Sequence, residues 1–223
     1  MNRRTRFSFF LFLLALSCNE NREQGTLPEL SVCDTIVASS CRTPQNVPYC
    51  TFGYKFGDNN PFKPSGPNIA GPESSATSIS FKFMEEGVSF KTFIQNNAIS
   101  LEITDEDKSM IREAIQEWAS VANINFIEKS SNQATDITFI SAFTYLSAFG
   151  FPAFNELPCN QIAGYLVFNS RESSIYRGQI LHEMGHVLGL GHVLSQNIMN
   201  SPPKFDHLQP GDIAGIQSIY GSK

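Results

Sequence analysis

From residue 77 onward, short runs of alternating polar and apolar positions are interrupted by longer stretches of helical period. Ile79-Ser80-Phe81-Lys82-Phe83 alternates and predicts a strand, as does Ile99-Ser100-Leu101-Glu102-Ile103. Met110, Ile111, Ala114, Ile115 and Trp118 then recur at helical spacing, which predicts a helix laying its apolar face on a sheet, with Trp118 in the core. Thr104 is a suitable N-cap, and Asp105, Glu106 and Asp107 place negative charge in the first turn. Further strands are expected at 124–128, 136–140 and 165–168. A second helix should run to about Leu188, capped by Ser173 or Ser174. A last one should begin at Pro210, whose ring suits a first turn. Residues 143–154 are rich in aromatics and show no clear period. Mixed strands with a helix packed on them, followed by two more helices, give an α+β domain with a twisted mixed sheet.

Ahead of residue 77 the pattern changes. Arg3, Arg4 and Arg6 precede an apolar run from 7 to 16 that is too short to span a bilayer. The run ends in Ala15-Leu16-Ser17-Cys18, which resembles a bacterial lipobox, with Ala15 where leucine is preferred. The resemblance implies a lipid anchor on Cys18, and hence a membrane-attached protein of the cell envelope, at the outer membrane or surface. Ordinary signal cleavage and secretion is the alternative. Both take the chain out of the cytoplasm. Residues 1–18 are thus read as a signal peptide and 19–76 as a cysteine-containing extension. That extension ends in a linker bearing Pro61, Pro64, Pro67 and Pro72, and 77–223 form the main domain. Beyond Cys18, the cysteines Cys33, Cys41, Cys50 and Cys159 suit two disulfides in an exported protein, with three connectivities open.

At 223 residues the chain is one domain plus extensions. A net charge of −5 argues against a nucleic-acid partner. No repeat is evident, and a monomer is the default expectation.

Three of the four histidines fall in His182-Glu183-Met184-Gly185-His186-Val187-Leu188-Gly189-Leu190-Gly191-His192. His182 and His186, four apart, project from one helix face one turn apart. Gly189 lets the chain leave the helix in a backbone conformation that side chains resist, so that His192 can return to the same point. Three imidazoles leave the fourth position of a zinc ion open, the arrangement of a catalytic rather than a structural site. Glu183, beside the first ligand, is placed to act as general base toward a zinc-activated water.

This H-E-x-x-H-x-x-G-x-x-H string, with Met199 in Asn197-Ile198-Met199-Asn200-Ser201, resembles the metzincin zinc peptidases and, among them, the matrixins. The similarity extends over about residues 77 to 223. Residues 105–118 look like the family's long packing helix, 121–138 like its following strand region, and 208–221 like its C-terminal helix. The resemblance implies a metzincin-type zincin domain that hydrolyses peptide bonds of protein or peptide substrates. It further implies that Met199 forms a hydrophobic base under the zinc and that Asp212 supports the methionine turn. The alternative for Asp212 is a plain first-turn carboxylate favoured by the helix dipole. Gly178, four residues before His182, falls where the family's specificity pocket is lined. Matrixin propeptides place a cysteine thiolate on the zinc, and Cys50 is the candidate for such latency, against a disulfide. Tyr165 and Val167 stand where the family has ligands for a structural zinc and calcium, which argues for a single zinc and against structural calcium. Ser201 stands where other metzincins have a ligating tyrosine.

These expectations converge on an exported zinc endopeptidase. The alternative is a non-catalytic zinc-containing binding protein or adhesin on a peptidase fold.

Overall fold

A computed structural model of the chain describes residues 46–51, 56, 76–91, 97–144, 146–151, 164–170 and 175–223. Among these residues seven strands, β1 (Thr77–Phe83), β2 (Ser89–Phe90), β3 (Ala98–Ile99), β4 (Ile124–Glu128), β5 (Ile137–Ala142), β6 (Ala148–Phe151) and β7 (Gly164–Asn169), are joined by three helices. These are α1 (Asp105–Val121), α2 (Arg177–Leu188) and α3 (Pro210–Tyr220). The main sheet has the order β4-β1-β5-β7-β6. Its first four strands are parallel and β6 runs antiparallel to β7. Every residue of β5 is buried, as expected of an inner parallel strand covered on both faces. This is the α+β arrangement expected from the pattern.

Thr104 caps α1 by accepting from the Asp107 N–H. Ile111, Ala114, Ile115 and Trp118 are its buried stripe, in one core with Ile79, Phe139 and Leu166 of the sheet. Residues 99–103 do not form the continuous strand that their alternation suggests. Ala98 and Ile99 pair with β2, but the Leu101 N–H donates to the Ser141 carbonyl of β5 at 2.7 Å. The segment changes partner midway, and Thr104 must already turn into the helix. In the aromatic stretch, β6 forms against β7, with Phe149 edge-on to Tyr165 at 5.9 Å.

The zinc-motif helix α2 begins at Arg177. Tyr176 is its N-cap and makes no side-chain capping bond. Its start is held from α1 instead, where Glu117 takes Arg177 Nη2 at 2.7 Å on one oxygen and the Leu208 N–H at 2.6 Å on the other. Ser173 and Ser174 lie outside the described residues, as do residues 1–18, Cys33, Cys41 and Cys159.

Upstream residues reach this domain. Thr51 forms an antiparallel bridge with Leu190, and the Gly191 N–H donates to the Cys50 carbonyl at 2.9 Å. Phe56 is 2% exposed within the main core, and its N–H donates to the Tyr220 hydroxyl at 3.2 Å.

Candidate metal centre

Two histidines come from α2 and the third from the turn behind it. Gly189 is the C-cap in the left-handed region, φ 111°, and its N–H returns to the helix's last carbonyls. The Leu190 N–H then donates to the Gly185 carbonyl at 2.9 Å, and two residues later His192 faces back to the helix. Its Nε2 lies 3.1 Å from that of His182 and 3.0 Å from that of His186.

The outer nitrogens settle which atoms are free to ligate. His182 Nδ1 is 2.7 Å from the Ile198 carbonyl and His186 Nδ1 is 2.9 Å from the Leu190 carbonyl. A carbonyl only accepts, so both Nδ1 atoms carry the proton and both Nε2 atoms present lone pairs. Burial lowers the basicity of all three rings. His182 is pulled down to about 4, with the nearby His192 adding to the effect and the Ile198 carbonyl opposing it. His186 falls well below its ordinary value and His192 falls too. Neutral imidazoles with convergent lone pairs form a donor set that fits zinc, whose tetrahedral Zn–N bonds of about 2.0–2.1 Å require nitrogens a little over 3 Å apart. Among the described residues this is the one cluster of three such side chains.

Glu183 lies on the next position of the helix. Its Oε2 accepts the Gly150 N–H from β6 at 2.6 Å, while burial pushes its carboxyl up to about 7 against that bond. Gly150 makes the approach possible, since a Cβ there would fall inside 3.0 Å of the Glu183 backbone. Neither Gly150 nor Glu117 carries a sequence signal, because each acts through a contact between elements distant in the chain.

Met199 is 2% exposed and sets its sulfur against Gly185, the residue just before His186. Asp212, 1% exposed, accepts the N–H groups of Ile198, Met199 and Gln209 at 2.8, 3.2 and 2.9 Å. It is thus both a first-turn carboxylate of α3 and the acceptor for the methionine turn. Burial raises its carboxyl above the ordinary range while those bonds work in the other direction. Gly178 is buried, and the space a side chain would take there is filled by the Phe205 carbonyl. Asp136 accepts both the N–H and the hydroxyl of Ser80, at 2.7 and 2.6 Å. Cys50 is disulfide-bonded, so its sulfur is not a free thiolate for the metal.

With this geometry in place, comparison with known proteins points to the same kind of domain. The matrixin family profile matches residues 166–221, which run from β7 through the three histidines to the end of α3. The chain carries a matrixin-like metzincin domain. It is 33% identical over 137 residues to human matrix metalloproteinase-19, covering 52% of this chain and 26% of that protein. It is 35% identical over 104 residues to serralysin of Photorhabdus luminescens, covering 42% of this chain and 21% of that protein. With metalloendoproteinase 4-MMP of Arabidopsis thaliana the identity is 27% over 152 residues, 58% of this chain and 44% of that protein. The matrixin-like chain therefore spans between about a fifth and less than half of the length of these relatives.

Proposed function

We propose that this chain is an exported zinc-dependent endopeptidase that hydrolyses peptide bonds of proteins, with Glu183 as general base. The observation that supports the reading is the convergence of three imidazoles, two of them anchored through their outer nitrogens, beside a buried carboxyl group. His182, His186 and His192 would hold the zinc, which would supply a Lewis acid for the scissile carbonyl and lower the pKa of water toward neutrality. Gly150 fixes Glu183 Oε2, which leaves Oε1 to take a proton from the attacking water and deliver it to the leaving amine. With its carboxyl raised to about 7, Glu183 is suited to both transfers near neutral pH. Met199 and Asp212 hold the floor of the site through Gly185 and the Ile198 peptide.

Gly178 enters this reading as the residue that lets the Phe205 segment close on α2, shaping the pocket for the substrate side chain after the cut. One zinc, a monomer and a lipid anchor on Cys18 complete the proposal. The test is cleavage of a quenched peptide library by the zinc-loaded chain beside Glu183→Ala. Activity lost only in the variant supports the endopeptidase, and zinc binding without cleavage in either favours the binding-protein alternative. Fatty-acid labelling that survives Cys18→Ser would remove the anchor.

A further inference from the structure

We infer that residues 47–51, upstream of the metzincin-type domain, are a working part of its metal centre: they clamp the loop that carries His192 and the methionine turn. The inference rests on the metal-centre reading above.

Between Gly189 and Ile198 the chain has no helix and no strand of the main sheet, so the place of the third ligand is set by bonds from outside the loop. His192 is held by one bond from each neighbour. On one side the Gly191 N–H donates to the Cys50 carbonyl at 2.9 Å, and on the other the Val193 N–H donates to the Met199 carbonyl at 3.1 Å. The upstream segment supplies the first of these and then two more. Ser195 Oγ donates to the Val47 carbonyl at 2.7 Å, and Asn197 Nδ2 donates to the Pro48 carbonyl at 2.6 Å. Asn197 precedes Ile198, whose carbonyl fixes His182. Three carbonyls of one short segment, those of Val47, Pro48 and Cys50, thus hold both the third ligand and the stretch that orients the first.

The segment is itself seated in a built groove. Gly211 and Gly215 lie one turn apart on α3. The Pro48 carbonyl and the Asn197 amide fill the side-chain space of the first, and Tyr49 lies 2.9 Å from where a Cβ of the second would be. The Cys50 disulfide, and the buried Phe56 five residues past the segment, fasten its C-terminal side. A propeptide built to be shed would lie across the metal from the cleft side. This segment instead grips the ligand loop through its own backbone, and cutting it away costs the metal rather than freeing it.

The experiment uses the full chain and reads zinc affinity by chelator competition, together with the visible spectrum of the cobalt(II)-substituted protein. Gly215→Ala crowds Tyr49 at 2.9 Å and the end of the Leu190 side chain at 3.0 Å, and removes no hydrogen-bonding group of the loop. Asn197→Asp keeps the shape but replaces the donor to Pro48 with a carboxylate oxygen. Ile79→Val serves as a core change remote from the clamp. Both clamp variants are expected to bind zinc about tenfold or more weakly and to shift the cobalt bands, whereas Ile79→Val moves neither. Clamp variants that stay folded, bind zinc within about twofold of the parent and keep its spectrum overturn the inference alone. A parent chain that binds no zinc overturns the metal-centre reading and the inference with it.

Discussion

The Ile198 backbone joins Asp212 to His182: its N–H donates to Asp212 Oδ2 at 2.8 Å and its carbonyl accepts from His182 Nδ1 at 2.7 Å. A carboxylate on α3 therefore orients His182 on α2 through the backbone of a single residue. Asp212→Ala leaves three N–H donors without their acceptor, and an unmet buried donor costs about 1–3 kcal/mol. The expected loss is at least about 3 kcal/mol in urea unfolding of the metal-free protein, with weaker zinc binding besides. Asp212→Asn, which keeps one acceptor oxygen, should lie between parent and Ala. Equal stability of all three would remove Asp212 from this role.

Glu183→Gln should lower peptide cleavage by about 10²–10⁴-fold, the usual contribution of a positioned base. Zinc affinity should stay close to that of the parent, because Glu183 is not among the clustered ligands. Retention of more than about a tenth of the parental rate would move the base elsewhere.

The depressed histidines have a consequence for metal binding in acid. Three ordinary imidazoles of pKa about 6.5 would lose roughly a thousandfold in zinc affinity between pH 7.5 and 5.5, as protons compete for each ligand. Here burial holds His182 near 4 and the other two below their usual value. The affinity is expected to fall by less than about a hundredfold over that range, read by competition with a chelator of known pH dependence. A thousandfold fall would mean ordinary imidazoles.

The same groups tilt the stability of the metal-free protein. A lowered pKa in the folded state means that the His182 contribution is fully present above about 6.5 and is lost as pH falls toward about 4. Glu183 acts oppositely. Its folded pKa is raised, so its contribution is present below about 4.5 and is lost as pH rises through about 7. Removing the carboxylate in Glu183→Gln should therefore stabilise the metal-free chain at pH 8 more than at pH 5, measured by thermal unfolding. The reverse order would contradict the burial of the carboxyl.

At Gly178 an added methyl meets the Phe205 carbonyl. Gly178→Ala should cost about 1–3 kcal/mol by overpacking. It should also change which side chain is preferred after the cut, because the 205 segment must move. An unchanged cleavage profile would separate Gly178 from the pocket.

The sequence makes the metal ligands legible because their geometry is local. A spacing of four on a helix and a glycine at its end place three rings within a few residues of each other, whatever the rest of the fold does. The strands of the main sheet were legible for a similar reason, since period two survives in β1 and β4. The stretch around β6 was not, because neighbouring aromatic positions mask the alternation. Gly150 and Glu117 act across elements, one a strand against a helix and the other a helix holding the start of its neighbour, and such approaches leave no periodic trace. The bonds from Val47 and Pro48 to Ser195 and Asn197 span 148 and 149 residues, beyond the reach of any pattern read along the chain.

Those long spans also order events in time. Phe56 meets Tyr220 across 164 residues, and closing loops of that size precedes any return from the contacts they bring. The helix with two of the imidazoles can form early, but the upstream segment cannot grip the loop of the third until it finds α3, far along the chain. A chain whose α3 has not yet left the ribosome thus lacks the contacts that close the histidine cluster. Assembly of the cluster waits for two distant stretches, residues 47–56 and α3, to meet.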